Sequence, residues 1–329
     1  MNVLVVGGAG YIGSHMVKSL LADGHNVIVV DNLSTGYEDA VLSKTFYQVD
    51  IASHFGINQV FKDHRIDAVF HFASYIQVGE SVTAPAKYYE NNVSATLTLL
   101  QAMVDANVKK FVFSSTAAVF GNPEYSPIDE KHPKHPINPY GHSKLMVEQI
   151  LRDFDHAYGL KSVSLRYFNA AGADPEGQLG ERHEPETHLI PLVLQAASGR
   201  RAVISVFGQD YETPDGTCVR DYIHINDLAD AHVKAVEYLN AGNASAAFNL
   251  GNGKGFSVKE IIQAAEKVTG KTIPVNFEGR RAGDPPRLVA DATLANQVLG
   301  WSPHYTDITE IIQHAWAWEQ KYPWDEVIE

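Results

Sequence analysis

Seven residues near the N-terminus, Gly7-Gly8-Ala9-Gly10-Tyr11-Ile12-Gly13, constrain this chain more than any other stretch. They follow directly on Asn2 to Val6, a β-branched and apolar run of the kind that forms a strand buried on both faces. After them Ser14 to Ala22 carries apolar residues at helical spacing (Met16, Val17, Leu20, Leu21), and Gly24 stops that helix. A second buried strand, Asn26 to Val30, ends on Asp31. Strand, Gly-x-x-Gly-x-x-Gly turn, helix, strand and acidic residue form the opening βαβ unit of a dinucleotide-binding fold. Glycine lets backbone approach a pyrophosphate, whose charge then rests on the helix N-terminus. Asp31, 18 residues past Gly13, is placed to accept from both hydroxyls of an adenosine ribose. Its charge repels a 2′-phosphate, which favours NAD over NADP.

The alternation continues. Strands are expected at Phe46 to Val49, Ala68 to Phe72, Lys110 to Ser114 and Ser162 to Leu165. Helices are expected at Ile57 to Asp63, Tyr88 to Ala106 and from Ser143 onward. Such a pattern gives a doubly wound parallel (Rossmann) α/β sheet, with ligands gathered outside the C-terminal strand ends. Those ends are Gly7, Asp31, Asp50, Phe72-Ala73, Ser114-Ser115-Thr116 and Phe168-Asn169. Past residue 170 a Gly/Pro/Glu-rich loop, Ala170 to Pro185, is too long for a routine connection and reads as functional. Helices follow from His188, from Asn226 (the expected cap), from Ser257 with capping-box spacing to Glu260, and from Asp307. We therefore expect a nucleotide-binding domain over 1–170 and a smaller α/β lobe over 171–329, with about 219–245 returning to the first domain.

Net charge is −13, so no broad basic surface for nucleic acid or anionic lipid is expected. The single cysteine, Cys218, excludes an intrachain disulfide and fits a reducing cytoplasm. No apolar run approaches the ~20 residues that span a bilayer. The N-terminus enters a strand without a basic leader, so no secretory signal is read there. The histidines show no metal-ligand spacing, and structural roles are expected for His183 and His188; no metal is assigned.

Chemistry is suggested by Tyr140-Gly141-His142-Ser143-Lys144. Tyr and Lys four apart on a helix share one face. An isolated phenol and ammonium titrate near ~10 and ~10.4. An ammonium close to the phenol, with a second cation nearby, favours phenolate, making Tyr140 an acid/base group and Lys144 its electrostatic partner.

These motifs, with Phe113-Ser114-Ser115-Thr116 and Arg166-Tyr167-Phe168-Asn169, resemble the extended short-chain dehydrogenase/reductase family. His71-Phe72-Ala73, Val78-Gly79-Glu80-Ser81, Asn91-Asn92-Val93, Gly208-Gln209-Asp210-Tyr211, Val219-Arg220-Asp221-Tyr222-Ile223-His224 and Gly283-Asp284-Pro285 point within it to the UDP-hexose 4-epimerases. That resemblance implies a bound NAD and interconversion of UDP-galactose and UDP-glucose through a transient 4-keto sugar. It implies Tyr140, Lys144 and Thr116 as catalytic. For the cofactor it implies Gly7, Gly10, Tyr11, Ile12, Gly13, Asp31, Asn32, Asp50, Ile51, Phe72, Ala73, Asn91, Ser114 and Tyr167 beside Tyr140 and Lys144. For the substrate it implies Phe168, Asn169, His188, Leu189, Phe207, Arg220, Arg281, Asp284 and Leu288 beside Thr116 and Tyr140. A homodimer built through the helices at Tyr88 to Ala106 and Ser143 to Tyr158 is also implied.

Departures from the family pattern are informative. A common Lys after His-Phe-Ala is Ile76, and Asn-Asn-Leu appears as Thr187-His188-Leu189. The position that gates sugar size, often Tyr, is Leu288, leaving room for UDP-N-acetylhexosamines as an alternative or additional substrate. Ala117-Ala118 stands where sugar-nucleotide dehydratases carry Asp-Glu, which argues against dehydration. A dehydrogenase that releases NADH each cycle stays open. An NAD-sensing binding protein would be expected to lose Tyr140 or Lys144, and both are present.

Overall fold

The computed structural model describes residues 1–281 and 284–322; Gly283 of the Gly-Asp-Pro motif lies outside them. The chain opens as β1 (Asn2–Val6), α1 (Tyr11–Ala22), β2 (Asn26–Asp31), β3 (Thr45–Gln48), α2 (His54–Asp63) and β4 (Ala68–His71). Two short helices, α3 (Val78–Thr83) and α4 (Pro85–Tyr89), lead through a π-helical stretch over Glu90–Ala95 into α5 (Thr96–Asp105). Then come β5 (Lys110–Thr116), α6 (Pro139–Tyr158), β6 (Lys161–Tyr167) and β7 (Asn169–Ala171). Six of these strands and a later one, β11, form a seven-stranded parallel sheet in the order β11-β6-β5-β4-β1-β2-β3, β11 being Ala246–Leu250.

Alternation along each strand divides its side chains between two cores. Val3 and Val5 face α1 and a later helix, α8 (Ile225–Asn240), whereas Leu4 and Val6 face α2, α5 and α6. Both faces are covered, hence the unbroken apolar runs in the sequence.

The remaining elements are α7 (Leu189–Ser198), β8 (Ile204–Phe207), β9 (Val219–Arg220), β10 (Tyr222–His224), α8 (Ile225–Asn240), β12 (Phe256–Ser257), α9 (Val258–Thr269), β13 (Val275–Glu278), β14 (Arg287–Leu288), α10 (Thr293–Leu299) and α11 (Ile308–Lys321). Helices α7, α9 and α11 enclose a third core with the parallel pair β8–β13. Between these bodies the chain crosses more than once. Strand β10 pairs with β7, α8 packs in the core beside α1, and β11 pairs with β6.

Local chemistry differs from the sequence reading in three places. Helix α6 begins at Pro139, not Ser143, because Asn138 caps it by accepting from Gly141 N–H at 2.8 Å and Pro sits in its first turn. Tyr140 is therefore inside the helix. The cap of α8 is His224, whose Nδ1 accepts from Asn226 N–H at 3.1 Å, rather than Asn226 itself. The long helix expected from Tyr88 is interrupted by the π-helical stretch, where Asn92 turns inward; its amide accepts from Tyr75 N–H, donates to Tyr75 O and donates to Ser143 Oγ.

Candidate active site

At the C-terminal ends of β1 to β4 a cleft is lined by Gly7, Gly10, Asp31, Asn32, Asp50, Ile51, Phe72, Ala73 and Asn91. All nine come from the cofactor set read in the sequence. Ser34, Thr35, Gly36, Ser74 and Tyr75 also line it, and no sequence signal singled them out, since they lie in irregular loops. The turn above β1 is closely packed. Gly7 adopts φ +84°, and a Cβ on Gly13 would lie 2.0 Å from Gly7 O. Helix α1 has Gly10 at its N-cap position, no side-chain cap and no acidic residue in its first turn, so its N–H groups and dipole are available to an anion. Asp31 is clamped at the end of β2, accepting from Ala9 N–H at 2.9 Å and Leu33 N–H at 2.8 Å. A carboxylate has about four lone-pair sites, so two stay available to a diol. Burial raises its pKa, which those two N–H groups partly offset. These residues fit an NAD at its adenosine and pyrophosphate. Tyr11 is used differently, its hydroxyl donating to Gly172 O at 2.7 Å and tying α1 to the loop after β7.

Tyr140, Thr116 and Lys144 converge where β5 meets α6. Lys144 is 2 % exposed; Nζ donates to Ser74 Oγ and Ser114 O, both at 2.8 Å, and lies 4.9 Å from the Phe113 ring centre. Burial lowers its pKa to about 7. Ser114 Oγ and Tyr167 Oη share a short hydrogen bond beside it. The half-buried Tyr140 phenol is pushed up to about 12 by burial, with a hydrogen bond from Thr116 working the other way. Burial dominates the phenol's titration, and Lys144 is turned onto Ser74 and the β5 carbonyl. A further positive charge has to arrive before Tyr140 can act as phenolate near neutral pH.

A second group of residues sits beyond the β5–β6 end. Phe168, Leu288, Ala117 and Leu145 pack around Val119, Phe120 and Ile128. Leu288 pairs in register with Arg220 across β14 and β9. Arg220 donates to Val219 O and Pro285 O, each at 2.9 Å, and approaches Asp284 at 3.5 Å. Arg281 stacks over the Phe207 ring at 4.5 Å and is 3.9 Å from the other oxygen of Asp284. Asn169 is held by Asp221 O at 2.9 Å. Phe207, Arg220, Arg281 and Asp284 thus form one cationic rim. His188 and Leu189 face elsewhere. Leu189 packs on the third core, and His188 Nδ1 meets Glu181 at 2.9 Å and Glu186 at 3.0 Å. With His183 these form a four-residue cluster where the sequence reading assigned no metal-ligand pattern.

Residues 3–251 match the family described as NAD dependent epimerase/dehydratase, and the chain belongs to that family. Within it the chain is similar to UDP-glucose 4-epimerases. One from Lacticaseibacillus casei is 53% identical over 324 residues, 98% of either chain. The crystal structure of UDP-glucose 4-epimerase from Brucella ovis in complex with NAD superposes with a TM-score of 0.94 at 51% identity, covering 96% of this chain and 97% of that one. The enzyme from Bifidobacterium longum, in complex with NAD+ and UDP, gives a TM-score of 0.92 at 41% identity over 98% of this chain and 99% of that one.

Proposed function

We propose that this protein inverts C4 of UDP-hexoses, interconverting UDP-galactose and UDP-glucose. The supporting observation is the meeting of Tyr140 and Thr116 beside the nucleotide cleft, with Lys144 one helical turn behind. Bound NAD would supply the reversible hydrogen acceptor and the positive charge that the half-buried phenol lacks. Tyr140 Oη takes the proton of the sugar 4-OH and later returns it. The Thr116 hydroxyl favours the ionised phenol and orients the sugar oxygen. Lys144 anchors the nicotinamide ribose from its seat on Ser74 and Ser114. Arg220 and Arg281 grip the diphosphate through their planar donor forks, Phe207 stacks beside it, and Asn169 with the backbone at Leu189 holds the rest of the nucleotide, His188 being spent on Glu181 and Glu186. A firm hold on the diphosphate with a loose hold on the sugar lets a 4-keto ring turn over before it is reduced again.

Mixing the purified protein with UDP-galactose, without added NAD, tests this: UDP-glucose is expected at equilibrium with no net NADH. Net NADH would instead establish a dehydrogenase. Tyr140→Phe is expected to keep NAD and UDP bound while turnover falls by about 10²–10⁴-fold, the usual contribution of a positioned acid/base group.

A second substrate class is favoured by Leu288. It lies in the small apolar cluster with Phe168, and leucine is smaller than the Tyr often found at this position, which favours acceptance of an N-acetyl group. The same reading takes 1–170 as the cofactor domain and 171–329 as the sugar-nucleotide lobe, with about 219–245 returning to the first domain, a division supported by the packing of α8 beside α1. Two copies pair through the helices that carry Leu97 and Met146, which are 43% and 45% exposed. A cytoplasmic setting agrees with the lone, buried Cys218. No helix among the described residues is long and apolar enough to cross a membrane.

A further inference from the structure

We propose that Glu181, His183, Glu186 and His188 form a binding site for one divalent transition cation of the zinc class. All four lie in the long loop between β7 and α7, and none lines the nucleotide cleft. Their ligand atoms fall within 4.8 Å of one another. His183 Nδ1 is 3.3 Å from Glu181 Oε1 and 3.4 Å from Glu186 Oε2. His188 Nδ1 is 2.9 Å from Glu181 Oε1 and 3.0 Å from Glu186 Oε1. A tetrahedral zinc with bonds of ~2.0–2.1 Å to nitrogen and oxygen requires its ligand atoms to stand ~3.3 Å apart. The four separations run from 2.9 to 3.4 Å around that length, the two contacts to Glu186 being made by different oxygens, and one ligand atom from each residue keeps the whole set within 4.8 Å.

A second observation points the same way. Glu181 is only 8% exposed, yet its Oε1 makes no aligned hydrogen bond, and neither does the buried Nδ1 of His183. These two buried atoms stand 3.3 Å apart at ion-pair distance with no aligned hydrogen bond between them, a geometry that a shared cation would satisfy. The surroundings hold the set in place. Glu186 Oε1 accepts from Thr187 N–H at 2.7 Å and His188 N–H at 2.8 Å, and Trp318 Nε1 donates to Glu181 O at 3.2 Å. Arg182 lies 3.5 Å over the Tyr37 ring and bonds Asp39, fastening the loop to the β2–β3 connection. Two imidazoles and two carboxylates suit zinc, cobalt or nickel better than magnesium or calcium, which take oxygen sets.

The loop adjoins α1 through Tyr11, whose ring lies 6.2 Å from that of His183 and whose hydroxyl reaches Gly172 O. A cation here therefore braces the strap beside the Gly-rich turn. Chelator-treated, tag-free protein with its NAD retained is dialysed against Zn²⁺ and, separately, Co²⁺. One equivalent should bind at micromolar or tighter affinity, and cobalt should show the intense visible absorption of a tetrahedral site. Glu181→Gln and His183→Gln should each weaken binding by at least about tenfold, with far-UV circular dichroism and NAD content unchanged. If Glu181→Gln does not fold, His183→Gln, whose side chain is 20% exposed, decides alone. No saturable equivalent in the parent, a six-coordinate cobalt spectrum, or parent-like affinity in a folded variant would overturn the proposal.

Discussion

Helix α6 carries both Tyr140 and Lys144, and one buried carboxylate on it, Glu148, joins it to the sheet. Glu148 Oε1 accepts from Ser115 Oγ at 2.7 Å and Arg166 Nε at 2.8 Å, and Oε2 accepts from Arg166 Nη2 at 2.6 Å. Glu148 and Arg166 are 6% and 4% exposed. Removing one member of such a pair leaves a desolvated charge, at a cost of ~3–5 kcal/mol. Unfolding entropy of ~2.1 cal/mol/K per residue over 329 residues turns that loss into a fall in melting temperature of roughly 4–7 °C. Glu148→Leu and Arg166→Met should each show it. The double variant Glu148→Leu/Arg166→Met leaves no buried charge, only the Ser115 hydroxyl without its acceptor, at ~1–3 kcal/mol. It should therefore be more stable than either single variant, with a coupling energy of at least ~3 kcal/mol. Urea unfolding at one fixed NAD concentration measures the cycle, because ligand linkage otherwise masks it. Losses that simply add would refute the idea that an unpaired interior charge, and not lost packing, sets the penalty.

Gly13→Ala places a Cβ 2.0 Å from Gly7 O and 2.9 Å from Gly8 Cα, both backbone, so the turn must open; at least ~1–3 kcal/mol of stability and most of the co-purified NAD should be lost, as read by nucleotide release on denaturation. Four buried imidazoles are held neutral by burial, His15 and His232 at about 4, His71 and His224 at about 3. Unfolded histidine titrates near ~6.5, so their contribution is complete above that pH and is lost as pH falls toward about 4 for His15 and His232 and about 3 for His71 and His224, the unfolded chain binding more protons. Stability should drop by up to ~1.4 kcal/mol per pH unit for each histidine in that window, and a flat urea midpoint between pH 6.5 and 4.5 would exclude it. Leu288→Tyr should cut turnover of UDP-N-acetylglucosamine while sparing UDP-galactose; equal rates in parent and variant would remove Leu288 as the gate.

Much of the cofactor cleft was legible because its residues sit at strand ends, and a buried strand followed by Gly, Asp or a small residue leaves a local imprint. Asp31 and Phe72-Ala73 are such cases. Ser74 and Tyr75 were not legible: they line the cleft because Asn92 turns inward at the π-helical stretch and grips Tyr75, a contact across 17 residues. Strand β11 escaped notice for a related reason. Ala246-Ala247-Phe248-Asn249-Leu250 is short and has a polar residue, Asn249, which is fully buried only because Ile128 O and the Glu130 carboxylate meet it there.

Glycine spacing, apolar periodicity and the Tyr-x-x-x-Lys interval are properties of neighbouring residues, and they determined the parallel sheet, the nucleotide-binding edge and the shared face of Tyr140 and Lys144. Tertiary structure decided what each charged group does there. It turned Lys144 onto Ser74 and Ser114, raised the phenol of Tyr140 by burial, and folded Glu181, His183, Glu186 and His188 onto a common point. Desolvation and the geometry of a non-periodic loop depend on what the rest of the chain brings close, and neither is written into local order along the sequence.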